Sequence, residues 1–349
     1  MNDVIAHTDL LLEMLSIPAL SREEEKRSDF LEAHMKALGW PVRRISHNLL
    51  AGDPDAPGIR VLLNSHMDTV PPADGWESDP FTPQVDGDKI RGLGSNDAGA
   101  SVVCMLAAFG KMMDKLEDRI NLMLLISTEE EVSGDNGISA VLPQLGNLDA
   151  VIVGEPTGMA PAVAERGLMV LDGTVRGQAG HAARNEGKNA IYEAMADLQA
   201  IRELKFTEHS DWLPDPGAQV TMISAGKRHN VTPDLCSYVV DVRSNDRYGN
   251  ERLLDMIRAV CHAELLPRST RLRPSGLDRD HFLMKTIGKM RLEPFGSSTL
   301  SDMALIPFPT VKMGPGDSSR SHTAGEYILK SELEEGVEAY CSFLEHMEI

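Results

Sequence analysis

No stretch of this sequence approaches the ~18 unbroken apolar residues that a membrane helix needs, so no membrane partner is expected. Its first residues, MNDVIAHTDLLLEML, lack a basic region, an apolar block and a small-residue cleavage site. No export signal is therefore expected, and Ile5, Leu10, Leu11, Leu12 and Leu15 mark the core side of an amphipathic helix. Cysteine is scarce. Cys104, Cys236, Cys261 and Cys341 lie far apart, and none forms a C-x-x-C pair. That pattern fits reduced, buried thiols in a reducing compartment, here the cytoplasm. Basic residues are outnumbered, with 34 Lys+Arg against 53 Asp+Glu and a net charge of −19. This argues against a nucleic-acid partner or an anionic membrane surface.

Several catalytic motifs are also missing. The run Gly92-Leu93-Gly94-Ser95-Asn96-Asp97 has Asp97 where a dinucleotide fingerprint needs its third glycine. There is no G-x-S-x-G nucleophile elbow and no H-E-x-x-H zinc-protease pattern. Internal repeats and low-complexity tracts are absent too.

What remains is a chain of 349 residues, 42% hydrophobic and 25% charged, long enough for about two packed domains. Four short apolar runs have strand length: Ile59–Leu63, Ile120–Ile126, Ala150–Val153 and Thr310–Met313. Helical stretches are expected over Ala98–Leu116 and Asn136–Leu145. Alternating strands and helices predict an α/β sheet with helices on both faces. The stretch from about Gly167 to Arg273 differs, with alternating runs LMVLDGTVRG and CSYVVDVRSND and helices expected near Asn189–Glu203 and Asn250–Glu264. It reads as a small α+β domain inserted at 167–274 between two parts of the α/β domain, 1–166 and 275–349.

Metal-ligand residue types follow each of the four apolar runs. His66 and Asp68 follow the first, Glu129-Glu130-Glu131 the second, Glu155 the third and His322 the fourth, while Asp97 stands at the start of the expected Ala98–Leu116 helix. Sites in open α/β sheets form beyond the carboxyl ends of the strands. Five donors from separate segments thus converge on one edge. Imidazole plus carboxylate suits zinc, and cobalt or manganese as well. Asp68, two residues from His66, is placed to accept the far ring N–H of that histidine. Three adjacent carboxylates at 129–131 repel one another, and a cation would relieve that repulsion. One of them could bind metal while its neighbour takes a proton from water.

These residues resemble the M20 family of two-zinc aminoacylases and exopeptidases, in order and over nearly the whole chain. His66-Met67-Asp68-Thr69-Val70-Pro71 looks like the first metal motif, Gly92–Asp97 the second, and Glu129–Glu131 the acidic motif. Gly154-Glu155-Pro156-Thr157 matches the fourth. Gly314-Pro315-Gly316 followed by His322-Thr323-Ala324-Gly325-Glu326 matches the last. The resemblance implies two zinc ions held by His66, Asp97, Glu131, Glu155 and His322, with Asp97 bridging and Glu130 as general base. It implies an inserted dimerisation lid, and so a homodimer. In the lid, Gly177-Gln178-Ala179-Gly180-His181 resembles the segment whose histidine reaches the partner's active site and polarises the scissile carbonyl. Asn230 and Arg243 look like the substrate-binding pair, and Gly314 lies in the last substrate-side motif. Leu93 stands where many relatives have Arg, and Ala98-Gly99-Ala100 where many have a lysine–glycine pair. Spacing and length look most like the acyl-ornithine deacylase branch. The expected activity is therefore hydrolysis of an N-acetyl- or N-succinyl-amino acid of the ornithine or citrulline kind, a step of arginine biosynthesis. A dipeptidase, an aminopeptidase and a succinyl-diaminopimelate desuccinylase are the alternatives.

Overall fold

The computed structural model describes residues 2–349, with side chains from residue 6 onward. Leu11 and Leu15 of helix Asn2–Leu15 are buried, and Leu10 and Leu12 are half-buried. Ile5 lies outside the described side chains. The chain divides into two compact units. The first comprises Met1–Val163, Leu277–Phe295 and Ser301–Ile349, and the second Ala164–Gly276 with Gly296–Leu300.

The first unit is built on a twisted sheet. Six of its strands run in the order Val42–Ile45, Asn48–Ala51, Ile120–Ser127, Ile59–His66, Ala150–Val153 and Thr310–Lys312. The last four are mutually parallel, and the first two are antiparallel additions at one edge. Ile120–Ser127 is buried along its whole length, as a strand covered on both faces must be. On one face, Leu62, Met123, Leu125, Val151 and Val153 pack with Ile138, Val141, Leu142 and Leu145 of helix Ile138–Leu145. The other face meets helix Ala100–Leu116, which packs in turn against helices Asn2–Leu15 and Lys330–Glu345. Parallel pairing makes the C-terminal ends of the strands point one way. His66, Thr128, Gly154 and Met313 therefore leave the sheet on the same edge.

The second unit is an antiparallel sheet in the order Gly217–Ala225, Leu235–Arg243, Leu168–Arg176 and Glu264–Pro267. Leu168–Arg176 and Leu235–Arg243 alternate between buried and more open residues, the period-two pattern of a sheet with one covered face. Met169, Leu171, Tyr238, Val240 and Val242 face Ala190, Ala194 and Ile201 of helix Ala190–Arg202 and Leu253 and Ile257 of helix Asn250–Val260.

Three helix boundaries differ from the sequence expectation by two residues or more, the helix expected from Asn136 starting at Ile138. The helix expected from Ala98 starts at Ala100, because Asp97 and Ala98 have non-helical backbone angles. The helix expected to reach Glu264 ends at Val260. Glu264 instead opens an edge strand paired with Leu168–Arg176, a short element that apolar periodicity does not reveal.

Candidate metal centre

Each expected donor in the first unit is placed by a strand exit or the turn beyond it. His66 is the last residue of its strand, with its side chain 1% exposed. Its Nδ1 lies 3.0 Å from the backbone carbonyl of Asp68 and 3.5 Å from the Asp68 carboxylate. The ring is thereby oriented with Nε2 toward three carboxylates: Asp97 Oδ1 at 3.2 Å, Glu155 Oε1 at 3.7 Å and Glu130 Oε2 at 4.0 Å. His322, in left-handed backbone with φ 58° and half exposed, faces the same group from another loop. Its Nε2 is 3.0 Å from Glu131 Oε2 and 3.6 Å from Asp97 Oδ2. The two oxygens of Asp97 thus turn to different histidines. Donor atoms of His66, Asp97 and Glu131 lie within 4.8 Å of one another, as do those of His66, Glu130 and Glu155, and His322 stands beside Glu131 and Asp97.

Tetrahedral zinc with ligands at 2.0–2.1 Å sets donor atoms roughly 3.3 Å apart. The donor separations of 3.0–3.7 Å bracket that spacing. The electrostatics agree. Four carboxylates, from Asp97, Glu130, Glu131 and Glu155, converge on two imidazoles. Burial raises the Glu130 and Glu155 carboxyls well above the usual range, and neighbouring carboxylates push them further. Burial alone would lower His66, but Asp68, Asp97 and the charges of Glu130 and Glu155 overcome it and raise the imidazole well above 6.5. The Glu131 contact raises His322 to about 9. A concentrated negative site that holds protons this tightly is one that divalent cations fit.

The acidic motif divides its labour. Glu129 and Ser133 take left-handed backbone at φ 54° and 45°, bracketing the single turn Glu130–Val132. That turn aims Glu130 and Glu131 at the centre. The Glu129 carboxylate goes elsewhere and accepts from the side chain and backbone N–H of Asn136. Only two of the three adjacent carboxylates therefore meet. Asp68 anchors the turn, accepting the N–H groups of Glu130 at 3.1 Å and Glu131 at 3.3 Å as well as the Ser21 hydroxyl at 2.7 Å. Beneath it, the buried guanidinium of Arg27 donates to the carbonyls of Ile17 and Met67. Gly314 lies against the peptide of Glu155, where a Cβ would stand 3.0 Å from the Glu155 nitrogen. Only glycine lets these two loops approach so closely.

Sequence reasoning passed over Glu326. Its buried carboxylate accepts the N–H groups of Gly94, Asn96 and Asp97 at 3.0, 2.8 and 2.9 Å. Asn96 in turn bonds the Asp317 backbone through both its oxygen and its nitrogen, and reaches the Ser321 hydroxyl. The loops of Asp97 and His322 are tied together by these bonds. Glu326 sat in the quoted last motif, but a lone carboxylate four residues beyond a histidine carries no spacing signal of its own.

The other three expected residues lie in the second unit. His181 ends the short strand Gly180–His181, paired with Val231, and the carbonyl of Asn230 accepts the N–H of Ala182. His181 and Asn230 therefore share one loop pair. Arg243 stands apart from them at the end of its strand. Its Nε and Nη2 bond both oxygens of Asp241, two residues back on the same face.

An α/β sheet whose parallel strands converge histidines and carboxylates on one edge defines a protein of the metal-binding class. The model of peptidase family M20/M25/M40 matches residues 62–346, and the chain belongs to that family. It is an enzyme of the amidohydrolase and peptidase kind. Similar sequences include the acetylornithine deacetylase of Myxococcus xanthus, 27% identical over 337 residues and 87% of each chain. The succinyl-diaminopimelate desuccinylase of Sphingopyxis alaskensis is 27% identical over 277 residues, covering 73% of this chain and 72% of its own. Among solved structures, the aminopeptidase PepT from Bacillus cereus shares the fold, with a TM-score of 0.76 over 98% of each chain at 19% identity. Among the described residues no helix is long and apolar enough to cross a membrane.

Proposed function

We propose that this chain hydrolyses the amide bond of an N-acyl amino acid, with N-acetyl- or N-succinyl-L-ornithine and the corresponding citrullines as first substrates. The observation that carries the reading is Glu130. Its carboxyl is buried beside the donor set, 4.0 Å from His66 Nε2, and accepts no hydrogen bond among the described residues. A group so placed is free to take and return a proton.

His66, Glu155 and one oxygen of Asp97 would hold one divalent ion, and Glu131, His322 and the other oxygen of Asp97 a second. Zinc suits these donors best, with cobalt or manganese as substitutes. When bound, the ions supply Lewis acidity, which acidifies water and polarises a carbonyl. Glu130 removes the proton of the attacking water and delivers it to the leaving nitrogen. Asp68 holds the turn that aims Glu130. His181 donates a hydrogen bond to the oxygen on which negative charge develops. Asn230 and Arg243 orient the substrate, Arg243 by a charge-assisted bond to the α-carboxylate. Gly314 lets its own loop pack directly against the Glu155 peptide.

The second unit would act as a dimerisation lid. Its sheet ends on the open edge strand Gly217–Ala225, where Met222 is 65% and Ile223 56% exposed. On helix Ala190–Arg202, Tyr192 and Met195 are exposed as well. Apolar side chains along an unpaired strand edge suit pairing with a second copy. Four free thiols favour a cytoplasmic setting.

A second reading, desuccinylation of diaminopimelate, is favoured by the desuccinylases among the similar sequences. Purified protein loaded with zinc decides between them by release of acetate or succinate from acyl-ornithine, acyl-citrulline and succinyl-diaminopimelate. Free di- and tripeptides in the same assay test the peptidase alternative. Glu130→Gln should lower turnover by about 10²–10⁴-fold and leave metal stoichiometry unchanged. Normal activity in that variant rules out Glu130 as the base. No turnover of any acyl amino acid rules out the deacylase reading.

A further inference from the structure

We infer that Lys227 and Arg228 form an anion site for a carboxylate-ended acyl group, making the preferred substrate a succinyl rather than an acetyl amino acid. The inference rests on the reading that His181 and Asn230 reach the substrate. It starts from a cleft of about 750 Å³ within the second unit, lined by residues from Ala182 to Tyr192 and from Gly226 to Pro233 and adjoining His181 and Asn230, which do not themselves line it. In a chain of net charge −19, this wall is locally basic. Lys227, Arg228 and His229 line it, with Glu186 as its one carboxylate. Glu186 lies 3.8 Å from Arg184, and Lys188 pairs with Glu193 at 2.8 Å. Lys227 and Arg228 have no ion-pair partner among the described residues. Arg243, the other cation expected on the substrate, already commits two of its donors to Asp241.

Backbone pairing within the second unit links these two cations to His181. The strand Gly180–His181 pairs with Val231–Thr232, placing His181 opposite Val231. The N–H of Val231 bonds the carbonyl of Arg228 at 3.3 Å, closing the turn that presents Lys227 and Arg228. Gly226, at φ 73°, starts that turn where the strand Gly217–Ala225 ends. Paired residues on adjacent strands stand about 4.5–5.5 Å apart at their Cα atoms. The two carbonyl carbons of a succinyl group are three bonds, roughly 4 Å, apart. A scissile carbonyl at His181 therefore brings the far carboxylate within reach of a long cationic side chain from this turn. An acetyl group ends before it. Arginine and lysine on one turn also match carboxylate chemistry, one by its planar fork and the other as a point charge.

The test compares kcat/KM for N-succinyl-L-ornithine and N-acetyl-L-ornithine in the zinc-loaded full chain and in Lys227→Gln/Arg228→Gln. The succinyl-to-acetyl ratio should exceed one and fall by about tenfold in the double variant, mainly through KM on the succinyl substrate, as for loss of a charge-assisted bond. Arg228→Lys, which keeps the charge, should restore part of the ratio in an otherwise native chain. Binding of succinate to metal-stripped protein, followed by calorimetry, gives an arm independent of turnover. It should weaken by a similar factor in the double variant and with added salt. A ratio that stays constant, or equal losses on both substrates, overturns the assignment, since equal loss means an α-carboxylate or structural role. If neither substrate is cleaved but the variant loses succinate, the anion site stands and the deacylase reading falls. If the variant binds succinate as well as the native chain does, the anion site falls whatever the turnover.

Discussion

The carboxylate of Asp68, two residues beyond the first histidine strand, accepts the backbone N–H of Glu130 at 3.1 Å and so holds the turn that carries the proposed general base. The same carboxylate takes the Glu131 N–H and the Ser21 hydroxyl. Asp68→Asn keeps the shape but removes the charge and turns a donor toward one of those N–H groups. We expect a folded protein with turnover reduced about 10–100-fold and weaker metal retention, as for losses around metal ligands. Circular dichroism, metal titration and initial rates check this. Native kinetics in Asp68→Asn would show that the turn holds itself.

Glu326 plays the matching part for Asp97. Three N–H groups converge on its carboxylate, and burial raises it to about 7. Glu326→Gln replaces an acceptor oxygen with an NH₂ group facing those donors. A buried donor left unsatisfied costs about 1–3 kcal/mol. Denaturant unfolding of the metal-free variant should show a loss of that order, and metal titration a weaker second equivalent. Glu326→Ala, which leaves three N–H groups without an acceptor, should be worse on both measures. Unchanged metal binding in both variants would limit Glu326 to stability alone.

The parts legible in the sequence are those with a strong local signal. Ile120–Ser127 is apolar throughout because both faces of a parallel strand are covered, so strand and site edge could be read together. Five candidate donors can be picked out because four follow a strand and Asp97 stands shortly before a helix. Spacing alone does not tell Glu129 from Glu130 and Glu131, and only the family resemblance separates them, since the left-handed residues 129 and 133 that turn Glu129 toward Asn136 have no signature in a run of glutamates. Asn96, Glu326 and Arg27 act through backbone groups distant in sequence. Their partners exist only once the loops have met, so composition and spacing do not announce them. Arg243 shows the converse. Its motif was plain, but its bidentate bond to Asp241 depends on strand geometry.

A pH dependence separate from the centre is expected at His281. Its Nδ1 accepts the N–H of Leu283 and caps helix Phe282–Lys289. Burial holds the imidazole below 6.5, against the opposing pull of Asp149 and Asp278. The folded state therefore binds fewer protons than the unfolded chain near and below that pH. The cap's contribution is present above 6.5 and is lost as pH falls, because a protonated ring cannot accept the N–H. His281→Asn supplies a cap that does not titrate. Denaturant unfolding should show native stability falling by up to about 1 kcal/mol more than that of the variant between roughly pH 7.5 and 5. Parallel curves would mean that His281 does not titrate in that window.

The open edge of the second unit leads to the last prediction. The strand Gly217–Ala225 pairs with Leu235–Arg243 on one side only, and Met222 and Ile223 are exposed on it. A charge on that strand should block pairing with a second copy while leaving the unit's own core intact, because that core is formed on the helix-covered face by residues such as Tyr238 and Val240. Ile223→Lys should therefore shift the protein from dimer to monomer in sedimentation velocity without lowering its thermal midpoint in the monomeric state. If His181 serves the neighbouring subunit, turnover falls with the dimer fraction and recovers at high protein concentration. His181→Ala should stay dimeric and lose turnover at every concentration. A mixture of His181→Ala and Glu130→Gln chains should regain part of the activity by forming hybrid dimers, in which one site keeps both groups. Failure of that mixture to recover while both proteins are dimeric would place His181 in its own subunit's site.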